Sequence, residues 1–434
     1  MHEVDTLLEG LDRATASHVE PAVEWLLGAQ DERLPLASLG QVDLQYFLWH
    51  KLPANWFTED AEHHEIAWSL GDFFEAAGMD RYAAICRDRR THEILAAWHR
   101  DPDEGAARCQ QAQLDSGVLP PDTELLAFGE LMGELEAAAH HGASVFLEDG
   151  IATGALDPAL RGFRAAAQRR VERYLQTSSD EFGGRTPLQA VWQERADAWR
   201  DSFRGVPSVF WDRSHAAIVS TPAVPTGVGL AVAPAQALLE AVGEGVTLTE
   251  AGYLPPKLAL ALDERFGWSQ DYALGRPRGE ADVLQLGFLD DHLRAQRLLT
   301  RRGKRLTVSA AGHRAMADPA GLWAAVVAPG PRWRPGFEQD ALAVLAACLL
   351  SGERVTADLL DEEMSFVLGG KWRPAGGGPV DDDVRWVETG WRRLGLALGW
   401  WEDRRRGPEE RLSAFGRAAA ACVFRTVATG PMRR

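Results

Sequence analysis

Apolar positions over the first 205 residues follow the 3.6-residue period of amphipathic helices. Ile66, Leu70, Phe73 and Phe74 make one such face, with Thr58 before it as an N-cap and Gly78 after it as a C′ glycine. Thr91 is placed to cap the next helix, which carries Ile94, Leu95 and Trp98 on one side. Pro120-Pro121-Asp122 opens a further long helical run. The sharpest start signal is Thr186-Pro187-Leu188-Gln189. Threonine takes the N-cap, proline fills N1 where no amide hydrogen is needed, and glutamine at N3 closes a capping box. Leu188, Val191, Trp192, Trp199 and Phe203 continue it as an apolar stripe that predicts core packing. Alternating β-branched residues are nearly absent before residue 206. Residues 1–205 therefore predict an all-helical domain, an antiparallel bundle or a short solenoid.

Residues 206–233 break this pattern with Pro207, Pro222 and Pro225, and read as a proline-rich connector. One arrangement then occurs twice, over 234–330 and 331–434. In the first copy a helix with Leu238, Leu239 and Val242 precedes the β-type stretch Val246-Thr247. A second helix runs through Leu262 and Phe266, and a third from about Asp282 to Gln296. Two short strands follow, turning at Arg301-Arg302-Gly303-Lys304. In the second copy the helices fall near Phe337–Leu350, Asp358–Phe366 and Asp381–Arg393, and Arg404–Pro408 marks the corresponding turn. Asp282 aligns with Asp383 at an offset of 101, and Gly312 with Gly416 at 104. Helices feeding a two-stranded ribbon predict two tandem winged-helix-like units with small β-wings. The fold class expected is thus mainly α.

Such units recognise macromolecules more often than they catalyse. Arg301, Arg302, Lys304 and Arg305 cluster at one wing, and Arg404, Arg405 and Arg406 at the other, as candidate contacts to phosphate or to a protein partner. The third helices oppose a nucleic-acid partner. One carries Asp282, Asp290 and Asp291 against Arg294, and the other opens with Asp381, Asp382 and Asp383. Each carboxylate facing a phosphate would oppose binding by about 1 kcal/mol at surface dielectric. Aspartates at a helix start serve the orphan amides and the helix dipole, and Arg392 and Arg393 complement the far end.

Charge adds an asymmetry. Of the net −17, residues 1–150 hold 29 acidic and 9 basic side chains, while 151–434 hold 34 and 37. An acidic first part repels nucleic acid and anionic membrane, and suits solubility or a basic partner. The four scattered cysteines have no metal or redox spacing and read as reduced thiols in the cytoplasm. The first residues lack a signal-peptide pattern, and no apolar run is long enough to span a membrane.

Chemical motifs are sparse. His63-His64-Glu65 and His92-Glu93 lack a second histidine four residues on, so neither makes a metalloprotease helix. His92 and His99 can share a helix face, but no third ligand is evident, and exposed or capping histidines are expected. Gly369–Gly378 resembles a phosphate loop only superficially, because Trp372 follows Lys371 where a hydroxyl belongs. No cofactor or metal is expected.

Three stretches resemble a known group: Val246–Pro256, Phe47-Leu48-Trp49-His50-Lys51-Leu52-Pro53, and Gly78–Cys86. They are similar to segments of uncharacterised actinobacterial proteins, including ones resembling the plasmid pRiA4b ORF-3 class. The resemblance implies no activity. The expectation is a non-catalytic cytoplasmic recognition or adaptor protein that binds another macromolecule, foremost a protein. A DNA-binding regulator gripping phosphate through the wings is the alternative. A hydrolase with its site in the N-terminal half is the remote one.

Overall fold

Helix signals dominate the chain, and the computed structural model is accordingly mainly helical, with one three-stranded antiparallel sheet among the described residues. It describes residues 3–28, 33–56, 60–208, 210–212, 221, 224–271, 276–330, 333, 336–351, 356–373, 381–402 and 411–431. The chain divides into two units, Met1–Glu194 with Pro431–Arg434, and Arg195–Gly430.

The principal helices of the first unit are α1 (Arg13–Leu27), α2 (Asp60–Ala76), α3 (Asp80–Arg87), α4 (Arg89–Arg100), α5 (Pro102–Ser116), α6 (Glu134–Ala152) and α7 (Phe163–Leu175). A further helix, α8 (Pro187–Asp201), begins here and passes into the second unit at Arg195. Val19, Val23, Phe47, Leu48, Leu70, Phe73, Phe74 and Leu95 share one core, and Ala143, Leu147, Val171, Leu175 and Val191 another. At Gly78 the chain takes φ 72°, and the Met79 amide donates to the Phe74 carbonyl at 2.8 Å. That bond closes α2 as a left-handed C′ residue should. Thr186 and Gln189 form a reciprocal box, each amide donating to the other's side chain at 3.1 and 3.2 Å.

Three local expectations are corrected. Asp88, not Thr91, caps α4, accepting from the Arg90 amide at 2.8 Å. Thr91 is buried instead, where its hydroxyl donates to the Ile85 carbonyl and accepts from the Trp49 indole. A threonine inside a first turn can serve a tertiary partner that sequence cannot reveal. The run after Pro120-Pro121 is not helical until Glu134. Asp122 and Thr123 bind the amides of Phe128, Leu125 and Leu126, competing with helix formation. Glu194 then caps α6 from a distance, accepting from the Leu135 and Glu136 amides at 2.8 and 2.9 Å. Trp192 faces outward from its stripe, whereas Trp199 packs inside. Thr58 lies outside the described residues.

In the second unit, α9 (Ala233–Val242), β1 (Val246–Thr247), α10 (Pro256–Phe266) and α11 (Leu284–Ala295) precede the hairpin β2 (Leu299–Arg302) and β3 (Arg305–Val308). Strand order is β1-β3-β2, with Val246 opposite Leu306 and Leu299 opposite Val308. After α12 (Ala310–Met316) and α13 (Pro319–Val327) come α14 (Phe337–Ser351), α15 (Ala357–Gly369) and α16 (Asp381–Ala397). Where a second hairpin is expected, the described residues form one bridge, Trp401 to Leu412, and α17 (Ala414–Ala428) is the last of the helices described. Every residue of α14 from Asp340 to Leu350 is buried, so this helix, apolar on all sides, is the centre of the unit. Asp340 is accommodated there by the Trp199 and Trp372 indoles at 2.7 and 2.8 Å and the Lys371 ammonium at 2.7 Å.

The same closure occurs twice. The Leu298 amide donates to the Leu293 carbonyl at 2.9 Å, and the Trp400 amide to the Gly395 carbonyl at 2.8 Å. Ahead of each stands a positive-φ residue, Arg297 at 57° and Gly399 at 69°. Ser309 and Ser413 donate their hydroxyls to the carbonyls of those positive-φ residues, Arg297 and Gly399, at 2.6 and 2.8 Å. Each serine then caps the next helix by accepting from Gly312 or Gly416. Both glycines are needed for room: a Cβ there would lie 2.3 Å from the Leu298 oxygen or 2.1 Å from the Trp400 oxygen.

Candidate functional site

The β2–β3 hairpin gathers four of the seven candidate contact residues. Its turn needs Gly303, whose φ is 60°. Three of the four basic side chains are engaged by the chain itself. Arg301 Nε donates to the Gly303 carbonyl at 2.9 Å, with its guanidinium lying over Gly252. Lys304 Nζ pairs with Glu250 at 2.5 Å. Arg305 Nη2 donates to the Glu244 carbonyl at 3.0 Å and its guanidinium covers Gly245, leaving no space there for a Cβ. Arg302 is exposed and has no hydrogen-bond or ion-pair partner among the described residues. Arg404, Arg405 and Arg406 lie outside the described residues.

The helices expected to be third in each unit, α11 and α16, lie together. α11 packs against α16. The Arg393 guanidinium of α16 sits 4.9 Å over the Phe288 ring of α11. Near this seam the Trp268 indole donates to the Ala397 carbonyl at 3.2 Å, satisfying the C-terminal end of α16. Trp268 is 6% exposed. Arg392 pairs with Glu388 at 3.4 Å rather than standing free.

The acidic residues of α11 are not uniform. Asp282 precedes the helix and accepts from the Arg278 amide at 2.7 Å. Asp290 is fully buried in mid-helix and pairs with Arg294. Asp291 is exposed, as is Asp383 at the start of α16. Glu280 is buried below α11 and accepts from the Leu254 amide at 2.5 Å. Burial raises its pKa above the ordinary carboxylate range, opposed by that amide and by Arg294. Burial likewise lowers the pKa of Arg294, and the charge of Arg301 adds to the effect.

Four histidines of the first unit, His63, His64, His92 and His99, correct the expectation of exposed or capping rings and pair across α2 and α4. His63 Nδ1 lies 3.1 Å from His99 Nε2, with His63 Nε2 3.1 Å from the Trp56 carbonyl. His64 Nδ1 lies 2.7 Å from His92 Nδ1, and the rings stack, with Trp68 on the other ring contact of His92. Burial lowers the His92 pKa first, the neighbouring His64 second. The i, i+7 spacing of His92 and His99 was the one sequence signal for this seam. Among the described residues no group of three histidine, cysteine or acidic side chains is placed to hold a metal. The four cysteines form no disulfide, and three of them are buried. No helix among the described residues is long and apolar enough to cross a membrane.

Comparison with protein-family models, with curated proteins and with solved structures gives no match for this chain.

Proposed function

We propose that the chain is a non-catalytic cytoplasmic adaptor that binds a protein partner. In this reading an acidic helical domain and a short connector precede two winged-helix-like units descended from one. The helix–strand–helix–helix–hairpin order, the strand order β1-β3-β2 and the repeated serine–glycine closure support the tandem.

The observation that carries the functional part is the packing of α11 on α16. A winged-helix DNA reader needs its third helix free to enter a major groove. Here the two third helices share a seam, and Arg301, Lys304 and Arg305 are held by carbonyls or a carboxylate of their own chain. Such a tandem has its nucleic-acid faces occupied and keeps outer helical surfaces for a protein.

The test is a fluorescence anisotropy titration of the full chain against a labelled random-sequence duplex at about 50 mM and about 200 mM salt. A flat response at both is expected. A rise at low salt that weakens steeply at high salt, and weakens again in Arg302→Ala, would replace the adaptor with a DNA-binding regulator.

A further inference from the structure

α15 presents an apolar ridge between two cavities. Leu359 and Phe366, seven residues apart and therefore on one helix face, are 58% and 61% exposed. On one side of them Asp358, Asp361, Glu362 and Ser365 line a cavity of about 540 Å³ that Arg385 of α16 borders. On the other side Val206, Phe210, Val367 and Phe366 itself, with Ser351 and Glu363, line a cavity of about 210 Å³. Helical periodicity sets the ridge between these two faces.

Charge decides what fits. Asp361 is paired with Arg385 at 3.3 Å. Asp358 and Glu362 are exposed and have no cationic partner among the described residues. The larger cavity therefore carries more negative than positive charge beside two exposed large apolar side chains. Nucleic acid and anionic membranes are repelled by such a surface. A cationic chain with an apolar stripe is attracted, and gains by covering Leu359 and Phe366.

We infer that α15 is the docking surface for a basic amphipathic helix of the protein partner. Its lysine or arginine side chains enter the acidic cavity, and its apolar stripe covers the ridge and fills the smaller cavity. This assignment rests on the adaptor reading and names the partner's chemistry.

The probe is a fluorescein-labelled helical peptide of leucine and lysine, with leucines at i, i+4 and i+7, titrated with the full chain. The same peptide with glutamate for lysine is the charge control. Saturable binding of the lysine peptide alone is expected. Phe366→Ser and Glu362→Lys should each weaken it by about tenfold or more. Glu24→Lys makes the same charge change on an exposed face of α1 and should alter affinity by less than about twofold. Equal losses in Glu24→Lys and Glu362→Lys, or an unchanged affinity in Phe366→Ser, would overturn the docking surface. Those outcomes leave the duplex result untouched, and duplex binding leaves these ratios untouched, so the two ideas fail separately.

Discussion

Gly312 and Gly416 are the residues on which the repeated closure depends most directly. Each sits in the first turn of a helix laid against a carbonyl oxygen, and a methyl group would overlap that oxygen. Gly416→Ala and Gly312→Ala should each destabilise the second unit by about 1–3 kcal/mol, because backbone must shift rather than a flexible side chain. Gly369→Ala is the matching control, since a Cβ there meets nothing within 4 Å. In denaturant unfolding the first two should lower the midpoint and the third should leave it or raise it slightly. The sequence pointed to both glycines through their offset of 104, but only the coordinates give the reason for them. Thr91 is the opposite case. Its position near a helix start suggested a cap, while its partners, Trp49 and Ile85, come from elsewhere in the chain. Single-position chemistry cannot distinguish a capping hydroxyl from one bonded to a distant indole.

At the scale of elements, local signals were legible where the partner of each group lies within a turn. The capping box at Thr186, the C′ glycine at Gly78, the β2–β3 turn at Gly303 and the run of helices were read that way. What was not legible depends on long-range pairing. The stretch after Pro120 loses its helix to side chains of Asp122 and Thr123, and α6 takes its cap from Glu194. The histidine contacts between α2 and α4 join residues 28 and 36 positions apart. They also give the first unit a pH response. The His92 ring is held below the ordinary histidine value of 6.5 by burial and by His64, and His140 is held below it by burial and by His141. A ring with a lowered folded pKa stabilises while neutral, so that contribution is present above about pH 6.5 and is lost as pH falls toward the folded value. His141 acts in the other sense. Its hydrogen bond to Asp43 raises its pKa, so its contribution is complete below 6.5 and is lost as pH rises through the folded value. The His92 contribution to thermal stability should therefore fall as pH drops from about 7 to about 5, and His92→Gln should remove that part of the pH dependence. An identical slope in the variant would remove His92 from the explanation.

For the molecule as a whole, the question is whether α11 and α16, the expected third helices of two proposed winged-helix-like units, face outward or inward. The acidity of the segments that form α11 and α16 was legible before the fold, and it argued against DNA. The chain carries no local signal that α11 and α16 are each other's partners, since a helix that packs on a neighbour and one that enters a groove have similar apolar periods. In the packing of α11 on α16, Trp268 is met by the Ala397 carbonyl and Phe288 by the Arg393 guanidinium. Hydroxyl-radical footprinting of the free full-length chain measures that cover side chain by side chain. Trp268 and Phe288 are expected to react several-fold more slowly than Trp386 and Phe366, which are 53% and 61% exposed. Equal reactivity across the four would mean that the third helices stand free, and would contradict the inward-facing adaptor.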